Sequence, residues 1–312
     1  MRGEFALIEA LAQAVAPSTQ SPFVRCGIGD DAAWLSALQN PIISTDAHYE
    51  NVHFRRDWQS GVQVGFKAVQ ACLSDLAASL SEPRALFVNL SIPATFPDEF
   101  LLELYAGIGE ALRETPAVLA GGNVTRSLGG LGIDLFAIGE GNGAMPQRGY
   151  ARVGDIVCMT GFPGLAAAGL DALQNNRSEP GALRTAFLRP HARFDAARVL
   201  ARHAVGALMD VSDGLAGDAA KIAVASRVTI AASLDGTHIH PELGAYCAQW
   251  NLDPFEFMCR GGEEYELLFT CAPDVLHALR KELDLVLVVG NVVAQGTTPV
   301  TGVRGNSFDH RA

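Results

Sequence analysis

The sequence predicts a two-domain protein of mixed α/β (α+β) class, on three observations. Its 312 residues are 49% hydrophobic and 18% charged, the balance of a folded chain able to bury one large core or two of ordinary size. Short apolar runs of strand character alternate with longer helical patterns in both halves. A Gly-rich, Pro-containing stretch, GNGAMPQRGYARVGD (141–155), separates those halves. The expected domains are residues 1–141 and 142–312.

The elements follow in order. GEFALIEALAQAVA (3–16) has apolar residues at helical spacing, ended by Pro17 and Pro22. NPIISTD (40–46) is a short apolar strand closing on Asp46. In SGVQVGFKAVQACLSDLAASL (60–80), Val62, Phe66, Val69, Leu73, Leu76 and Leu80 mark one face of a long helix. RALFVNLSIP (84–93) alternates like a half-buried strand, and DEFLLELYAGIGEALRE (98–114) is an amphipathic helix. AVLAGGNVTR (117–126) reads as a strand and then a Gly-rich turn, and GLGIDLFAIGEG (130–141) as a further strand. In the second half, strand DIVCMTG precedes helix PGLAAAGLDALQNN, and NNRSEPGAL (175–183) reads as an exposed loop. AVGALMDVSDGLAGDAAKIAVAS (204–226) gives strand, turn and helix. RVTIAASL, YELLFTCA and DLVLVVGNVV supply strands, with a helix at PDVLHALRKEL (273–283). There is no strict repeat, only an echo of apolar strand followed by Asp and Gly.

Composition narrows the function. A formal net charge of −11 repels nucleic acid and anionic membrane. Such a chain binds phosphates when divalent cations reverse the local sign. The six cysteines form no C-x-x-C pair, which argues against zinc and for reduced thiols in a cytoplasmic protein. No leader peptide is expected at the start, and no apolar run is long enough to span a bilayer.

Acidic residues recur where strands or glycine turns end: Asp30 and Asp31 in GIGDD, Asp46, Asp210 and Asp213, with Asp75 inside the long helix. A lone Asp at such a place is ordinarily a turn former or helix cap. Several beside Gly, Ser or Thr suggest hard oxygen ligands for magnesium and a phosphate site. Neither a P-loop nor the kinase H-R-D and D-F-G signatures occur. His48, His238 and His240 read as surface, core or loop residues, and GFPGLAAAGL as a tight turn into a helix. Trp34, Trp58 and Trp250 read as packing residues.

GIGDDAAWL, ISTDAHYENVHF, FKAVQACLSDLAA, GGNVTRS, GDIVCMTGFPG, MDVSDGLAGD and GGEEYELLFT occur in one order. In these seven motifs the chain resembles the thiamine-monophosphate kinases. That family belongs to the superfamily of aminoimidazole ribonucleotide synthetase and selenophosphate synthetase. The resemblance implies an N-terminal sheet domain that binds ATP and metal and dimerises, and a C-terminal α/β domain. It implies several Mg²⁺ ions held by Asp30, Ser44, Thr45, Asp46, Asp75, Asn123, Asp210 and Asp213. ATP would meet Gly121, Gly122, Arg148 and Ser212, and thiamine monophosphate would meet His53, Glu263 and Phe308. The implied reaction transfers the ATP γ-phosphate directly and in line, with no covalent nucleophile, giving thiamine diphosphate. Asp30 would face metal while Asp31 points away and holds the turn.

The pattern departs from the family at Asn123, where an Asp is usual, at Glu264 in place of Asp, and at Cys72 in place of Asn. "SLSEP", around Leu80 and Ser81, replaces a Met-Gly. Two other functions stay open: an ATP-using relative acting on another small phosphorylated substrate, and a catalytically impaired nucleotide-binding homologue. Cys26 has no neighbouring Lys, which weighs against a selenophosphate synthetase.

Overall fold

The computed structural model describes residues 2–141, 143 and 145–303. The chain falls into two compact units: Met1–Leu76 with Ser81–Gly143, and Ala77–Leu80 with Ala144–Ala312.

The first unit begins with α1 (Glu4–Val15) and the antiparallel pair β1 (Val24–Cys26) and β2 (Trp34–Leu35). There follow β3 (Pro41–Tyr49), α2 (Gly61–Ala78), β4 (Ser81–Pro93), α3 (Asp98–Arg113), β5 (Val118–Ser127) and β6 (Gly132–Gly141). Four strands make one sheet in the order β3-β6-β4-β5. β4 and β5 are parallel, joined by α3, the kind of crossover that parallel neighbours require. The other two pairings are antiparallel. Alternation along the strands sorts the side chains by face. Leu86, Val88 and Leu90 of β4 and Ile133, Leu135 and Ala137 of β6 are fully buried, whereas Ile43 on β3 is 65% exposed and Phe136 on β6 is 38% exposed.

Two sequence expectations change here. The glycines after residue 120 make no turn: β5 runs through Gly121 and Gly122 to Ser127. A Cβ on Gly122 would lie 2.0 Å from the Val88 carbonyl oxygen, so the missing side chain is what lets β5 lie this close to β4. The helix at 61–78 is also buried well beyond its apolar stripe. From Val64 to Ser74 every residue is buried, including Lys67, Gln70 and Ser74.

The second unit contains β7 (Ile156–Met159), α4 (Leu165–Gln174), α5 (Gly181–Leu188), α6 (Phe194–Leu200), β8 (Val205–Asp210) and α7 (Leu215–Ser226). It continues with β9 (Thr229–Ala232), α8 (Pro241–Trp250), α9 (Pro254–Arg260), β10 (Leu267–Cys271), α10 (Pro273–Leu279), β11 (Leu287–Val293) and β12 (Val300–Thr301). Its sheet has the order β12-β9-β11-β7-β10-β8. All pairings are antiparallel except β12 with β9. Val157, Met159, Met209 and Leu268 pack with Leu215, Ala219 and Ile222 of α7. The expected exposed loop at 175–183 ends early, because α5 starts at Gly181 and buries Leu183. Trp34 is not a core residue: it is 63% exposed, with the Arg25 guanidinium over its ring.

Candidate active site

In the first unit the predicted residues form two groups. The first lines a cleft of about 860 Å³ between α1 and the first half of β5. Asp30, Asp31, Gly121, Gly122 and Asn123 border it, facing Phe5, Ile8 and Leu11. The GIGDD turn lies against β5; a Cβ on Gly27 would come within 3.3 Å of the Ala120 carbonyl oxygen. Asp30 Oδ1 accepts the Asp31 N–H at 2.8 Å, and Cys26 Sγ stands 3.7 Å from Asp30 Oδ2. Asp30 thus bonds within the turn, and both carboxylate residues border the cleft.

The second group lies where β3 meets α2. Ser44 and Asp46 share one face of β3, as residues two apart in a strand must. The Ser44 hydroxyl donates to Asp75 Oδ2. Thr45 falls on the opposite face, across from Phe136, so only its backbone can join Ser44 and Asp46. Asp46 Oδ1 accepts the Ala47 N–H at 2.8 Å, and its Oδ2 meets His48 Nε2 at 3.0 Å. Burial pushes the Asp46 carboxyl up, but the His48 contact and the Ala47 N–H outweigh it and hold it below the ordinary value. His48 is 5% exposed. His53 Nδ1 accepts the Tyr49 N–H at 3.0 Å, and its ring packs edge-on to that of His48. Burial, reinforced by Asp46 and Asp75, drives the Cys72 thiol well up, so it stays protonated beside the acids. β3 and β5 are opposite edges of the sheet; Asn123 does not join the Asp46–Asp75 group in this conformation.

In the second unit the predicted residues converge through backbone. Asp210 ends edge strand β8 and is 4% exposed. The next residues, Val211 and Ser212, are bonded to the segment before β10. Glu263 N–H donates to the Ser212 carbonyl at 2.8 Å and Tyr265 N–H to the Val211 carbonyl at 2.9 Å. Glu263 and Tyr265 adopt φ of 62° and 52°, the left-handed region that side chains ordinarily avoid. Arg148 sits in a short 3₁₀ turn whose carbonyl accepts the Ser226 hydroxyl of α7 at 2.8 Å. Phe308 lies outside the described residues.

Two anchors in this unit, Asp218 and Lys221, escaped the sequence reading, as did the anchoring role of Glu264. Asp218, fully buried, accepts the N–H groups of Ser212 and Asp213 at 3.0 Å each. Lys221 Nζ bridges Asp218 Oδ1 at 2.7 Å and Asp213 Oδ2 at 2.5 Å. Burial opposes the ammonium, but these two carboxylates more than offset it and raise its pKa. Glu264 reaches the start of α4 and accepts the Gly164 N–H at 2.9 Å and the Ala166 N–H at 3.3 Å. The amides after GFPG are thus filled from within the protein and are not an open phosphate loop.

Among the described residues, no group of three or more His, Cys, Asp and Glu side chains is gathered into a metal cage. Magnesium seldom needs one, since it commonly takes one or two carboxylates and completes its shell with water and substrate phosphates. The hydroxyl and carboxylates of Ser44, Asp46 and Asp75 suit that use. One oxygen of Asp213 already carries a charge partner, the Lys221 ammonium on Oδ2. Among the described residues, no helix is long and apolar enough to cross a membrane.

Residues 29–140 match the family described as AIR synthase related protein, N-terminal domain, and 152–302 match the corresponding C-terminal domain. A thiamine-monophosphate kinase of Aquifex aeolicus is 32% identical over 273 residues, 86% of this chain and 85% of that one. The crystal structure of a thiamine-monophosphate kinase from Stenotrophomonas maltophilia superposes with a TM-score of 0.81 at 29% identity, covering 96% of this chain and 97% of that one. A structure described as AaThiL complexed with AMPPCP and TMP gives a TM-score of 0.79 at 30% identity, covering 99% of each chain. With both domains matched in order and this identity held over most of its length, the chain belongs to the thiamine-monophosphate kinase family.

Proposed function

We propose that this chain phosphorylates thiamine monophosphate at the expense of ATP, yielding thiamine diphosphate and ADP. The observation that carries the reading is its match over 99% of both chains to AaThiL, which is complexed with AMPPCP and TMP. In the proposed step an oxygen of the thiamine phosphate attacks the γ-phosphorus in line as the bond to the β-phosphate oxygen breaks. The attacking oxygen is already anionic, so no strong base and no covalent enzyme intermediate are needed. The obstacle is repulsion between two polyanions, and magnesium would supply the charge neutralisation that removes it. Ser44, Asp46 and Asp75 would hold ions through their oxygens, with Asp30 and Asp210 as further ligands. The bare backbone of Gly121 and Gly122 would let ATP phosphates approach β5. Arg148 and Ser212 would bind the nucleotide, and His53 and Glu263 the acceptor.

Residues 1–141 would serve nucleotide, metal and dimer contacts, with residues 142–312 as the C-terminal domain, in a cytoplasmic homodimer. Support for the dimer comes from the open face of the β3–β6 pair, where Ile43, Phe136 and Tyr49 are exposed. Light scattering of the wild type against Ile43→Asp checks it.

The test of function is ADP release with ATP, with and without thiamine monophosphate and Mg²⁺. Turnover that needs all three supports the kinase. One observation favours a second reading: Asn123, exposed in the cleft with Asp30, offers an amide and no charge. Nucleotide binding without turnover on any candidate substrate would favour that impaired homologue.

A further inference from the structure

Lys221 and Asp213 disagree with the magnesium assignment that the family pattern gives to Asp213. The Lys221 ammonium lies 2.5 Å from Asp213 Oδ2 and 2.7 Å from Asp218 Oδ1. Lys221 and Asp213 are each about a third exposed, but the lysine is also anchored on a buried group. The Asp218 carboxylate has no exposed side-chain surface, and its other oxygen accepts the N–H groups of Ser212 and Asp213. Lysine, Asp218 and the loop carrying Asp213 are therefore one bonded assembly, and the ammonium is fixed from the buried side. A divalent ion on the same Asp213 oxygen, Oδ2, would sit about 2.1 Å from it and so at most about 4.6 Å from the Lys221 nitrogen, which is itself 2.5 Å from Oδ2. Charges of +2 and +1 at that range repel strongly in a partly desolvated corner.

We infer that Lys221 is the resident cation of Asp213, so that an ammonium occupies the role a divalent ion would have there and the chain binds one ion fewer. The inference rests on the kinase reading only in that the nucleotide meets Ser212.

The experiment counts Mn²⁺ bound per chain by electron paramagnetic resonance, at saturating AMPPCP. Lys221→Met should bind one more Mn²⁺ than the unchanged protein, and Lys221→Arg the same number. Asp213→Asn should leave the count unchanged in the wild-type background and abolish the extra ion in the Lys221→Met background. A lower count in the Asp213→Asn single variant, or an unchanged count in Lys221→Met, overturns the inference. Should Lys221→Met fail to fold by circular dichroism, the Asp213→Asn single variant decides alone. Absence of turnover with thiamine monophosphate in the unchanged protein would sink the kinase reading and leave the ion count readable.

Discussion

The backbone N–H of Glu263 donates to the carbonyl of Ser212 at 2.8 Å. One peptide hydrogen bond thus ties the residue proposed for the acceptor to the residue proposed for ATP. The contact depends on glycine. A Cβ on Gly262 would stand 2.5 Å from that same Ser212 oxygen, and one on Gly214, at φ 107°, 2.9 Å from the Arg260 backbone.

Gly262→Ala should therefore disturb both substrates at once. The KM values for ATP and for thiamine monophosphate should rise together, with kcat/KM falling on the order of 100-fold, the cost typical of a displacement near 1 Å. Gly181→Ala, with nothing within 4 Å of its new Cβ, is the control and should leave kinetics unchanged. An effect on one substrate alone would show that the two loops move independently.

His48 supports Asp46 from beneath, buried and 3.0 Å from Oδ2. His48→Phe should leave Asp46 Oδ2 without its imidazole partner and raise the Mg²⁺ needed for half-maximal activity about 10- to 100-fold, the usual effect of removing a group that orients a metal ligand. A magnesium titration of turnover measures it. An unchanged requirement would mean that Asp46 needs no such support.

Glu264 should leave a mark on stability against pH. Burial pushes its carboxyl from the ordinary 4.5 to about 8, against the opposing pull of the α4 N–H groups. The folded chain then holds a proton that the unfolded chain has released. That stabilisation is complete below pH 4.5 and is lost as pH rises through about 8. It amounts to a few kcal/mol, on the order expected for a shift of several pH units. Melting temperature should fall between those limits more steeply in the wild type than in Glu264→Gln. Glu266, likewise raised by burial but paired with Arg193, is present in both proteins, and its charge adds to the rise at Glu264. Parallel curves would show that Glu264 is ionised in the fold.

What could be read from the chain, and what could not, divides on physical grounds. Helices and strands with a clear apolar period, such as 4–15 and 84–93, were legible because burial of one face imposes that period. The extension of β5 through Gly121 and Gly122 was not, because the cause is a neighbouring carbonyl that only the paired strand supplies. Asp46 and Asp75 stood out as recurring acids and Ser44 entered through the family motifs, yet that Thr45 faces away follows from strand alternation alone and was available from the start. His48, two residues after Asp46, could have been found by the same rule. Asp218 and Lys221 share a helix face at i and i+3, a signal present in the sequence. Their grip on Asp213 was not, since it depends on how the turn before α7 folds back.

Asn123 gives the last prediction. It borders the cleft with Asp30 and is exposed, so an acid placed there would be solvated and free to take a cation. It would also sit in the same cleft as the Asp30 carboxylate, where like charges repel unless a cation lies between them. Asn123→Asp should therefore leave kcat unchanged or higher at saturating Mg²⁺ and make activity fall more steeply when the metal is withdrawn. ADP release followed across a magnesium series, for wild type and variant side by side, provides the check. If the variant instead loses most of its activity at every Mg²⁺ concentration, the amide is itself a working part of the site, and its neutrality suits a nucleotide pose different from that of relatives with an acid at this position.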